Sequence, residues 1–412
     1  MAQIRPFFCI RPCREKAARI AALPYDVYSR EEAKQEAVRN PDSFLNIDRP
    51  ETQFPDDTDM YDEKVYQKAH ELLWQQIADG TFVKEEKRCY YIYELTMDGR
   101  TQTGIVACAS IDDYENQVIK KHENTRAEKE ADRIRHVDAC NAQTGPIFLA
   151  YRADQKISRI VEEAKKQEPL YDFIAEDGIR HRVFVVAKDV WIQEIQQAFA
   201  AMRSIYIADG HHRAASAVKV GQIRRKAHPG YTGEEEFNHF LSVLFPDDEL
   251  MIMDYNRVVK DLGTLTPAQL LEKAESIFEL KKVPKEERKP QKKGDFTMYL
   301  DGNWYLCTVR AQDIPSDPVK SLDVSLLQDL LLEPVLGIHD PKTDSRIDFI
   351  GGIRGLDELE RRVEKDCAVA FAMYPTAISE LFAVADAGLL MPPKSTWFEP
   401  KLRSGLFIHA LE

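Results

Sequence analysis

The stretch Ser204-Ile205-Tyr206-Ile207-Ala208-Asp209-Gly210-His211-His212-Arg213-Ala214-Ala215 joins an apolar run to a glycine turn and then to an alanine-rich segment. The β-branched and aromatic residues before Asp209 favour a strand, and the alanines after Arg213 favour a helix. A helix that begins at such a turn points free backbone N–H groups outward, and these groups bind anions. The pattern therefore predicts a strand–turn–helix unit whose turn at Gly210 binds phosphate.

The residues of this turn are candidate ligand contacts. Gly210 lets the backbone approach a ligand closely, and His211, His212 and Arg213 add hydrogen-bond donors at the start of the helix. Because the helix dipole contributes only about 0.3–1 kcal/mol, Arg213 would supply most of the affinity. Asp209 is a candidate catalytic carboxylate that holds a metal or orients a hydroxyl. The spacing fits equally well an ordinary turn in which Asp209 caps the helix.

Length and composition describe a globular chain of two or more packed units. Its 412 residues exceed the size of one hydrophobic core, and 44% of them are hydrophobic and 30% charged. The net charge of -13 repels nucleic acid and anionic membranes, so neither is a predicted partner. Seven cysteines without a CxxC pair disfavour disulfides and zinc, and no protein metal site is predicted. The predicted location is the cytoplasm, and the oligomeric state stays undetermined.

Periodicity predicts a mixed α/β or α+β fold. Two hairpins are expected around Asp98-Gly99 and Asp301-Gly302, because strand-like runs flank each Asp-Gly pair. Helices are predicted at about 58–79, 113–140, 154–168, 189–202, 211–225, 267–278, 323–333, 356–367 and 376–387. Strands are predicted at 3–10, 146–151, 182–187, 203–208, 239–245, 250–254 and 368–373. We expect a core domain over 1–255 and a C-terminal α/β domain over 256–412.

The predicted helix at 113–140 carries a second candidate constellation. Intervals of 4, 3, 4 and 3 residues place five basic side chains on one helical face: His122, Arg126, Lys129, Arg133 and His136. In the functional interpretation His122, Arg126 and Arg133 meet the phosphates opposite the glycine turn, and Glu123 is a general base or metal ligand. The alternative is a solvated face whose charges pair with neighbouring carboxylates. The pattern is not an H-E-x-x-H zinc motif, because position 126 is Arg.

Several loops add candidate ligand contacts. Asp26, in a turn near the N-terminus, is a candidate base, and Asn46 is a candidate substrate contact. The polar loop 141–144 precedes a strand and is a candidate lining for the ligand site. Near the C-terminus, rigid prolines accompany hydroxyls and cations, so Lys394, Ser395 and Thr396 are candidate substrate contacts, with 400–405 a further donor-rich segment. Local capping and surface packing explain these loops equally well.

The chain resembles the domain of unknown function 1015 family of bacteria and archaea almost from end to end. The segments that carry the resemblance are Leu23-Pro24-Tyr25-Asp26-Val27, Asn40-Pro41 with Asn46, His122-Glu123-Asn124-Thr125 with Asp132-Arg133, the Asp209–Arg213 turn, and Met391-Pro392-Pro393-Lys394-Ser395-Thr396. The stretch from Ile205 to Gly221 also resembles a ParB–sulfiredoxin motif in which a Gly-x-x-Arg turn and an Ala-rich helix bind nucleotide phosphates. This resemblance implies a ParB–sulfiredoxin-like nucleotide-binding core with additional α/β elements.

The resemblance also narrows the function. Sulfiredoxin has a reactive Cys in its turn, where this chain has His211 and His212, so sulfinic-acid reduction is not expected. ParB has a basic DNA-binding module, which this acidic chain lacks. Free-serine kinases are the remaining analogy, and they imply a phosphotransferase that uses ATP or ADP with Mg²⁺ on a small molecule such as free serine. A nucleotide-binding or hydrolysing switch that acts through a protein partner is the alternative, and a site for a phosphorylated metabolite is another.

Overall fold

The computed structural model describes residues 1–412, and the chain divides into two compact units. The first unit contains Met1–Leu250 together with Pro400–Glu412, and the second contains Met251–Glu399. The segment Pro400–Glu412 therefore belongs to the first unit, whereas the sequence-based division at residue 255 assigns it to the C-terminal domain. The two domains of that division stay a prediction.

The strands and helices of both units confirm a mixed α/β fold. The strands are β1 (Ile4–Arg5), β2 (Cys9–Pro12), β3 (Phe82–Lys84), β4 (Tyr90–Met97), β5 (Arg100–Ser110), β6 (Ile119–Lys120), β7 (Ala142–Gln143), β8 (Ile147–Tyr151), β9 (Tyr171–Ile174), β10 (Arg180–Val186), β11 (Ile205–Asp209), β12 (His239–Pro246), β13 (Ile252–Met253), β14 (Tyr255–Val259), β15 (Glu279–Val283), β16 (Asp295–Leu300), β17 (Asn303–Thr308), β18 (Ile347–Gly351), β19 (Val369–Met373), β20 (Trp397–Phe398) and β21 (Ile408–Ala410). The helices are α1 (Ala17–Ile20), α2 (Arg30–Arg39), α3 (Leu45–Asp48), α4 (Glu63–Ala78), α5 (Ile111–Glu115), α6 (Ala127–Cys140), α7 (Gln155–Ala164), α8 (Asp189–Ala201), α9 (His211–Ala227), α10 (Pro267–Ile277), α11 (Asp323–Leu327), α12 (Asp357–Lys365) and α13 (Ile378–Asp386).

Two sheets form the frame of the first unit. The larger is a nine-stranded mixed sheet in the order β6-β11-β8-β12-β5-β4-β10-β9, with β1 paired to β5. The smaller has the order β3-β2-β21-β7, so the last strand of the chain lies between strands from the first half. Strand β21 is antiparallel to β7, with His409 opposite Gln143. The C-terminal segment is therefore held beside the loop that leads from β7 to β8.

The second unit contains a six-stranded antiparallel sheet in the order β15-β17-β16-β19-β14-β18 and a two-stranded pairing of β13 with β20. Its hydrophobic cluster includes Val258, Trp304, Ile350 and Leu359, all of them buried. The predicted helix at 323–333 begins as α11 and continues as a π-helical turn over Gln328–Leu332.

Both predicted hairpins are confirmed. The residues Asp98 and Gly99 have φ values of 51° and 77° between β4 and β5, and Asp301 and Gly302 have 47° and 72° between β16 and β17. A two-residue turn with positive φ at both positions matches the right-handed twist of the strands that it joins. Glycine adopts such a φ without steric cost, and aspartate tolerates it.

The helix starts follow from local side-chain chemistry. Ser29 accepts a hydrogen bond from the Glu32 N–H, and the Glu32 carboxylate accepts one from the Ser29 N–H, so the two residues form a capping box at the start of α2. Helix α4 begins after Asp62, whose carboxylate accepts from the Lys64 N–H. None of the helices has both the length and the apolar composition that spanning a bilayer requires.

The core of the first unit lies between its large sheet and the helices that cover it. Buried side chains of that core include Ile105, Leu149, Ile207, Ala214 and Val218, so β11 and α9 both contribute to it. Gly221 lets α9 approach closely, because a Cβ at this position would lie 2.5 Å from the Phe237 carbonyl oxygen. The Gly210 turn is thus fixed between a buried strand and a buried helix.

Candidate functional site

The Gly210 turn has the strand–turn–helix geometry that the sequence predicts. Strand β11 ends at Asp209, Gly210 adopts φ 91° and ψ 33°, and α9 begins at His211. No side chain caps the N-terminus of α9, so the first N–H groups of the helix have no side-chain acceptor. Such an end carries a partial positive charge and binds anions.

Gly210→Ala tests how strongly this turn depends on glycine. Residue 210 has the left-handed backbone conformation, and a Cβ there would lie 3.0 Å from Arg213 Nε and Nη2. We expect the free energy of unfolding to fall by about 1–2 kcal/mol, as measured by denaturant titration. Gly230→Ala is the matched control, because Gly230 has no positive φ and nothing within 4 Å of its Cβ position. Equal losses in both variants would contradict this account.

The Arg213 side chain lies across the turn and lines a cavity. Its Nη1 donates to the Pro146 carbonyl oxygen at 2.5 Å, and its Nη2 lies 3.7 Å from the Asp209 carboxylate. The cavity has an empty volume of about 480 Å³, and we call it the Arg213 cavity. The lining residues that matter here are Tyr25, Asp48, Arg133, Thr144, Arg213 and Ser404. Gln143 and Thr144 of the 141–144 loop line this cavity, and Thr144 donates to Asp48 Oδ1 at 2.8 Å; that the loop lines a ligand site stays a prediction.

Arg133 brings a second guanidinium to this cavity. Its Cζ lies 4.1 Å from the centre of the Tyr25 ring, and its Nη2 lies 2.7 Å from Asp132 Oδ2. Burial alone would lower the pKa of Arg133, but the Asp132 carboxylate raises it above its ordinary value. Two guanidinium groups, Arg133 from α6 and Arg213 from the first turn of α9, therefore line one cavity.

Asp209 is held by two cations. Lys401 Nζ lies 3.4 Å from Asp209 Oδ2, and Arg213 Nη2 lies 3.7 Å from the same oxygen. Burial would raise the pKa of Asp209, yet Lys401 and then Arg213 lower it well below its usual range. An ionised carboxylate with a low pKa is a weak proton acceptor. Its contacts therefore suit charge balance at the turn better than proton abstraction.

His211 and His122 form a buried pair beneath the turn. Their ring centres are 4.5 Å apart in an edge-to-face arrangement, and the His122 N–H donates to His211 Nε2 at 3.5 Å. Burial lowers the pKa of His122 to about 4, and burial with the neighbouring His122 lowers the pKa of His211 well below its ordinary value. Both imidazoles are neutral at pH 7. This geometry therefore does not support His122 and His211 as cationic ligands of a phosphate.

A pH titration of stability tests the neutral state of His122. The unfolded chain binds a proton on histidine near pH 6.5, whereas the folded chain binds one on His122 only near pH 4. Between these values the unfolded state holds more protons, so the free energy of unfolding falls as the pH is lowered through this range. Denaturant titrations at several pH values should show a smaller fall in His122→Gln. An identical fall in the variant would contradict the assignment.

The predicted five-residue basic face is wrong in its first half. Helix α6 begins at Ala127, with Arg126 at its N-cap, so His122 and Arg126 are not on the helix. Gln117, with φ 59°, follows α5, and β6 then pairs in parallel with β11 instead of continuing a helix. Sheet pairing therefore overrides the helical periodicity. On α6 itself, Lys129, Arg133 and His136 remain.

The segment from residue 121 to 126 nevertheless lies against the Gly210 turn, as the functional interpretation expects. His212 is half-buried, and its Nε2 accepts a hydrogen bond from the Arg126 N–H at 3.0 Å. Burial and then Lys129 lower the pKa of His212. Glu123 is half-buried within this segment, whereas the Arg126 side chain is exposed.

Asp26 and Asn46 lie in different surroundings. Asp26 is exposed in a 3-10 turn and lines a second cavity beside Arg133. Asn46 is buried, and its amide donates to the carbonyl oxygens of Asn40, Pro41 and Ser43, while Gln53 donates to its Oδ1 at 2.6 Å. These contacts make Asn46 an anchor of its own loop, and they lend no support to substrate binding.

The candidate substrate contacts Lys394, Ser395 and Thr396 belong to the second unit. Ser395 is buried and donates to the Pro392 carbonyl oxygen at 2.7 Å, and Arg257 donates to the Lys394 carbonyl oxygen at 3.0 Å. Lys394 adopts φ 59°, with its ammonium 5.4 Å from the centre of the Tyr255 ring. These contacts describe a fixed loop, and its role in substrate binding stays a prediction.

Sequence reasoning missed Asp48 and the Tyr25 ring under Arg133. Asp48 lies in a charged run, residues 48–51, whose aspartate, arginine and glutamate are buried. A dense run of charges around Pro50 is the available signal, but such a composition is also typical of a solvated loop. The segment 400–405, noted for its donors, does supply Lys401 and Ser404 to this region.

Comparison with solved structures finds partial likenesses of low identity. A free serine kinase variant in complex with AMP is 15% identical, with 73% of this chain and 91% of that chain covered and a TM-score of 0.36. SbnI with a C-terminal truncation from Staphylococcus aureus is 11% identical, with 72% and 85% covered and a TM-score of 0.36. A conserved hypothetical protein from Pyrococcus furiosus is 14% identical, with 74% and 94% covered and a TM-score of 0.35. At these TM-scores the likenesses carry no argument.

Family comparison is more decisive. Curated proteins give no significant match. The sequence model of a family described as "Protein of unknown function (DUF1015)" matches residues 4–325, which is well over half of the 412 residues. The predicted family is thereby confirmed, whereas the ParB–sulfiredoxin-like motif stays a prediction. The chain belongs to the DUF1015 family.

Proposed function

We propose that the first unit binds a nucleotide through its phosphates at the Gly210 turn and transfers a phosphoryl group to a small molecule. The observation that carries this proposal is that Arg213, in the first turn of α9, and Arg133 line one cavity, while the Arg213 guanidinium also lies across Gly210. Phosphoryl transfer depends mainly on positioning and on neutralising negative charge. Two guanidinium groups and a helix end supply these functions.

The cations at the turn match a polyphosphate. Arg213 is fixed by the Pro146 carbonyl oxygen and Arg133 by Asp132, so both are held in place before a ligand binds. Lys401 adds a third positive charge beside Asp209. Preorganised donors need no ordering when the ligand arrives, which increases affinity.

Magnesium would accompany ATP or ADP. Mg²⁺ binds proteins through one or two carboxylates and completes its shell with water and substrate phosphate. Asp209 fits this requirement, because its carboxylate is ionised and lies at the turn. When bound, Mg²⁺ would offset the negative charge of the phosphates. No group of three or more potential ligands forms a dedicated metal site in the protein.

The transfer step needs a base for the acceptor hydroxyl. The hydroxyl proton passes to a carboxylate, the hydroxyl oxygen bonds to the terminal phosphorus, and the bond from that phosphorus to the leaving nucleotide oxygen breaks. Glu123 and Asp26 are the candidate bases, since Glu123 lies in the segment that contacts His212 and Asp26 acts electrostatically on the same imidazole ring. Free serine is the acceptor to test first.

Product analysis tests this function. The full-length protein is incubated with ATP labelled at the terminal phosphate, Mg²⁺ and a pool of amino acids and other hydroxyl compounds. We expect label in a phosphorylated acceptor, with less in Arg213→Lys, which keeps the charge but loses the two-pronged donor geometry. Label only in free phosphate would favour a hydrolysing switch. Binding without turnover would favour a nucleotide sensor, and either result would overturn the phosphotransferase.

A further inference from the structure

A second cavity lies next to the Arg213 cavity and shares Tyr25 and Arg133 with it. Its empty volume is about 670 Å³, and it is open to solvent. We call it the tyrosine cavity, because its lining includes Tyr25, Tyr28, Tyr61 and Tyr66. The stacked Tyr25 ring and Arg133 guanidinium, 4.1 Å apart, separate the two cavities.

Most charges of the tyrosine cavity are already neutralised within the protein. Arg49 Nε lies 2.5 Å from Glu51 Oε1, and both side chains are buried. Asp132 accepts from Arg133 and also from the Tyr66 hydroxyl at 2.9 Å. Each pair balances its own charge, so the two pairs together add no net charge to the lining of the cavity.

One carboxylate and one ammonium remain, from Asp26 and Lys129. Both side chains are exposed at the cavity, and they form no ion pair with each other or with another residue. The two charges have opposite effects on the pKa of His212: Lys129 lowers it and Asp26 raises it. The two charges therefore lie close enough to His212 to act on its pKa.

We propose that the tyrosine cavity binds a small zwitterion, an α-amino acid, and the proposed function requires that its side chain carry a hydroxyl. Lys129 binds its carboxylate, Asp26 binds its ammonium, and the tyrosine rings enclose its carbon chain. Because Arg49 and Arg133 already neutralise Glu51 and Asp132, a phosphate would meet one cation without an ion pair, Lys129, together with the Asp26 carboxylate. An uncharged nucleoside would leave Asp26 and Lys129 without partners. Transfer of a phosphoryl group from the Arg213 cavity past Tyr25 to the hydroxyl rests on the proposed function. Binding of the zwitterion in the tyrosine cavity does not.

The proposed function leaves Glu123 and Asp26 both as candidate bases. Binding of the ammonium by Asp26 would give the two residues separate roles. If Asp26 holds the ammonium, it is not the base, and Glu123 takes the proton. Asp26→Asn should then raise the KM for the amino acid about tenfold with kcat largely retained. A collapse of kcat at unchanged KM would overturn the assignment of Asp26 to the ammonium.

Binding of three ligands tests the cavity without requiring turnover. L-Serine carries both charges, ethanolamine lacks the carboxylate, and glycerate lacks the ammonium. Ligand-observed NMR titration of the full-length protein, without nucleotide, reports affinities into the millimolar range. We expect serine to bind about tenfold more tightly than either analogue, since each analogue loses one charge-assisted contact.

Charge-deleting variants make the test specific. Lys129→Met should weaken serine and glycerate about tenfold but leave ethanolamine unchanged, and Asp26→Asn should weaken serine and ethanolamine but leave glycerate unchanged. Lys219→Met is the control, because Lys219 is an exposed lysine on α9 that does not line the cavity. Absence of serine binding, or variants without this pattern, would overturn the inference. ATP binding without serine binding would reject this site alone, whereas serine binding without ATP binding would reject the proposed function.

Discussion

Arg133→Ala is expected to lower the free energy of unfolding by about 3–5 kcal/mol, the cost of breaking a buried ion pair and leaving one charge uncompensated. Arg133 and Asp132 keep only 8% and 11% of their side-chain surface exposed. Asp132 would retain the Tyr66 hydroxyl as a donor but lose both of its bonds from Arg133. The Tyr25 ring would also lose the guanidinium that covers it. Denaturant titration at pH 7 measures the change.

A double variant separates the ion pair from simple loss of packing. Asp132→Asn with Arg133→Met removes both charges and nearly preserves volume, so we expect it to recover most of the loss. If the double variant is as unstable as Arg133→Ala, then packing rather than charge explains the effect. A loss below about 1 kcal/mol in Arg133→Ala would contradict the buried pair altogether, since it would match an exposed one.

Gly405→Ala is expected to cost about 2–5 kcal/mol, from left-handed backbone strain and from overpacking. Gly405 has φ 83°, and a Cβ there would lie 2.5 Å from Phe44 Cγ, within a buried cluster. Its N–H donates to the Thr144 carbonyl oxygen at 3.3 Å, so the change also disturbs the wall of the Arg213 cavity. Denaturant titration again gives the magnitude.

Gly178→Ala is the control for Gly405→Ala. Gly178 has a similar φ of 80°, but nothing lies within 4 Å of its Cβ position. It therefore measures backbone strain alone, at about 1–2 kcal/mol. The difference between the variants is the packing cost against Phe44. Equal losses would show that the C-terminal segment does not pack as described.

Local patterns predicted the elements whose causes are local. The Asp98-Gly99 and Asp301-Gly302 turns depend on neighbouring residues only, and both are confirmed. The basic face from His122 to His136 failed because its first half is decided by pairing of β6 with β11, whose residues are far apart in the chain. The spacing of residues along the sequence contains no information about such a tertiary constraint.

The candidate site shows the same division. The glycine turn was readable, because its strand, positive-φ glycine and helix are contiguous in the sequence. Lys401 and Asp209 meet through the return of the C-terminal segment, and their contact spans 192 positions. The neutral states of His122 and His211 depend on burial by distant residues, which spacing along the chain does not reveal.

Nucleotide calorimetry with the full-length protein tests the central claim most directly. Wild type, Arg213→Ala and Lys219→Ala are titrated with ATP and ADP in the presence of Mg²⁺, with Lys219 as an exposed cation on the same helix. Removing charge-assisted bonds worth about 1.5–3 kcal/mol predicts a tenfold to hundredfold loss of affinity in Arg213→Ala and none in Lys219→Ala. No binding to wild type, or equal affinity in Arg213→Ala and wild type, would contradict a phosphate site at the Gly210 turn.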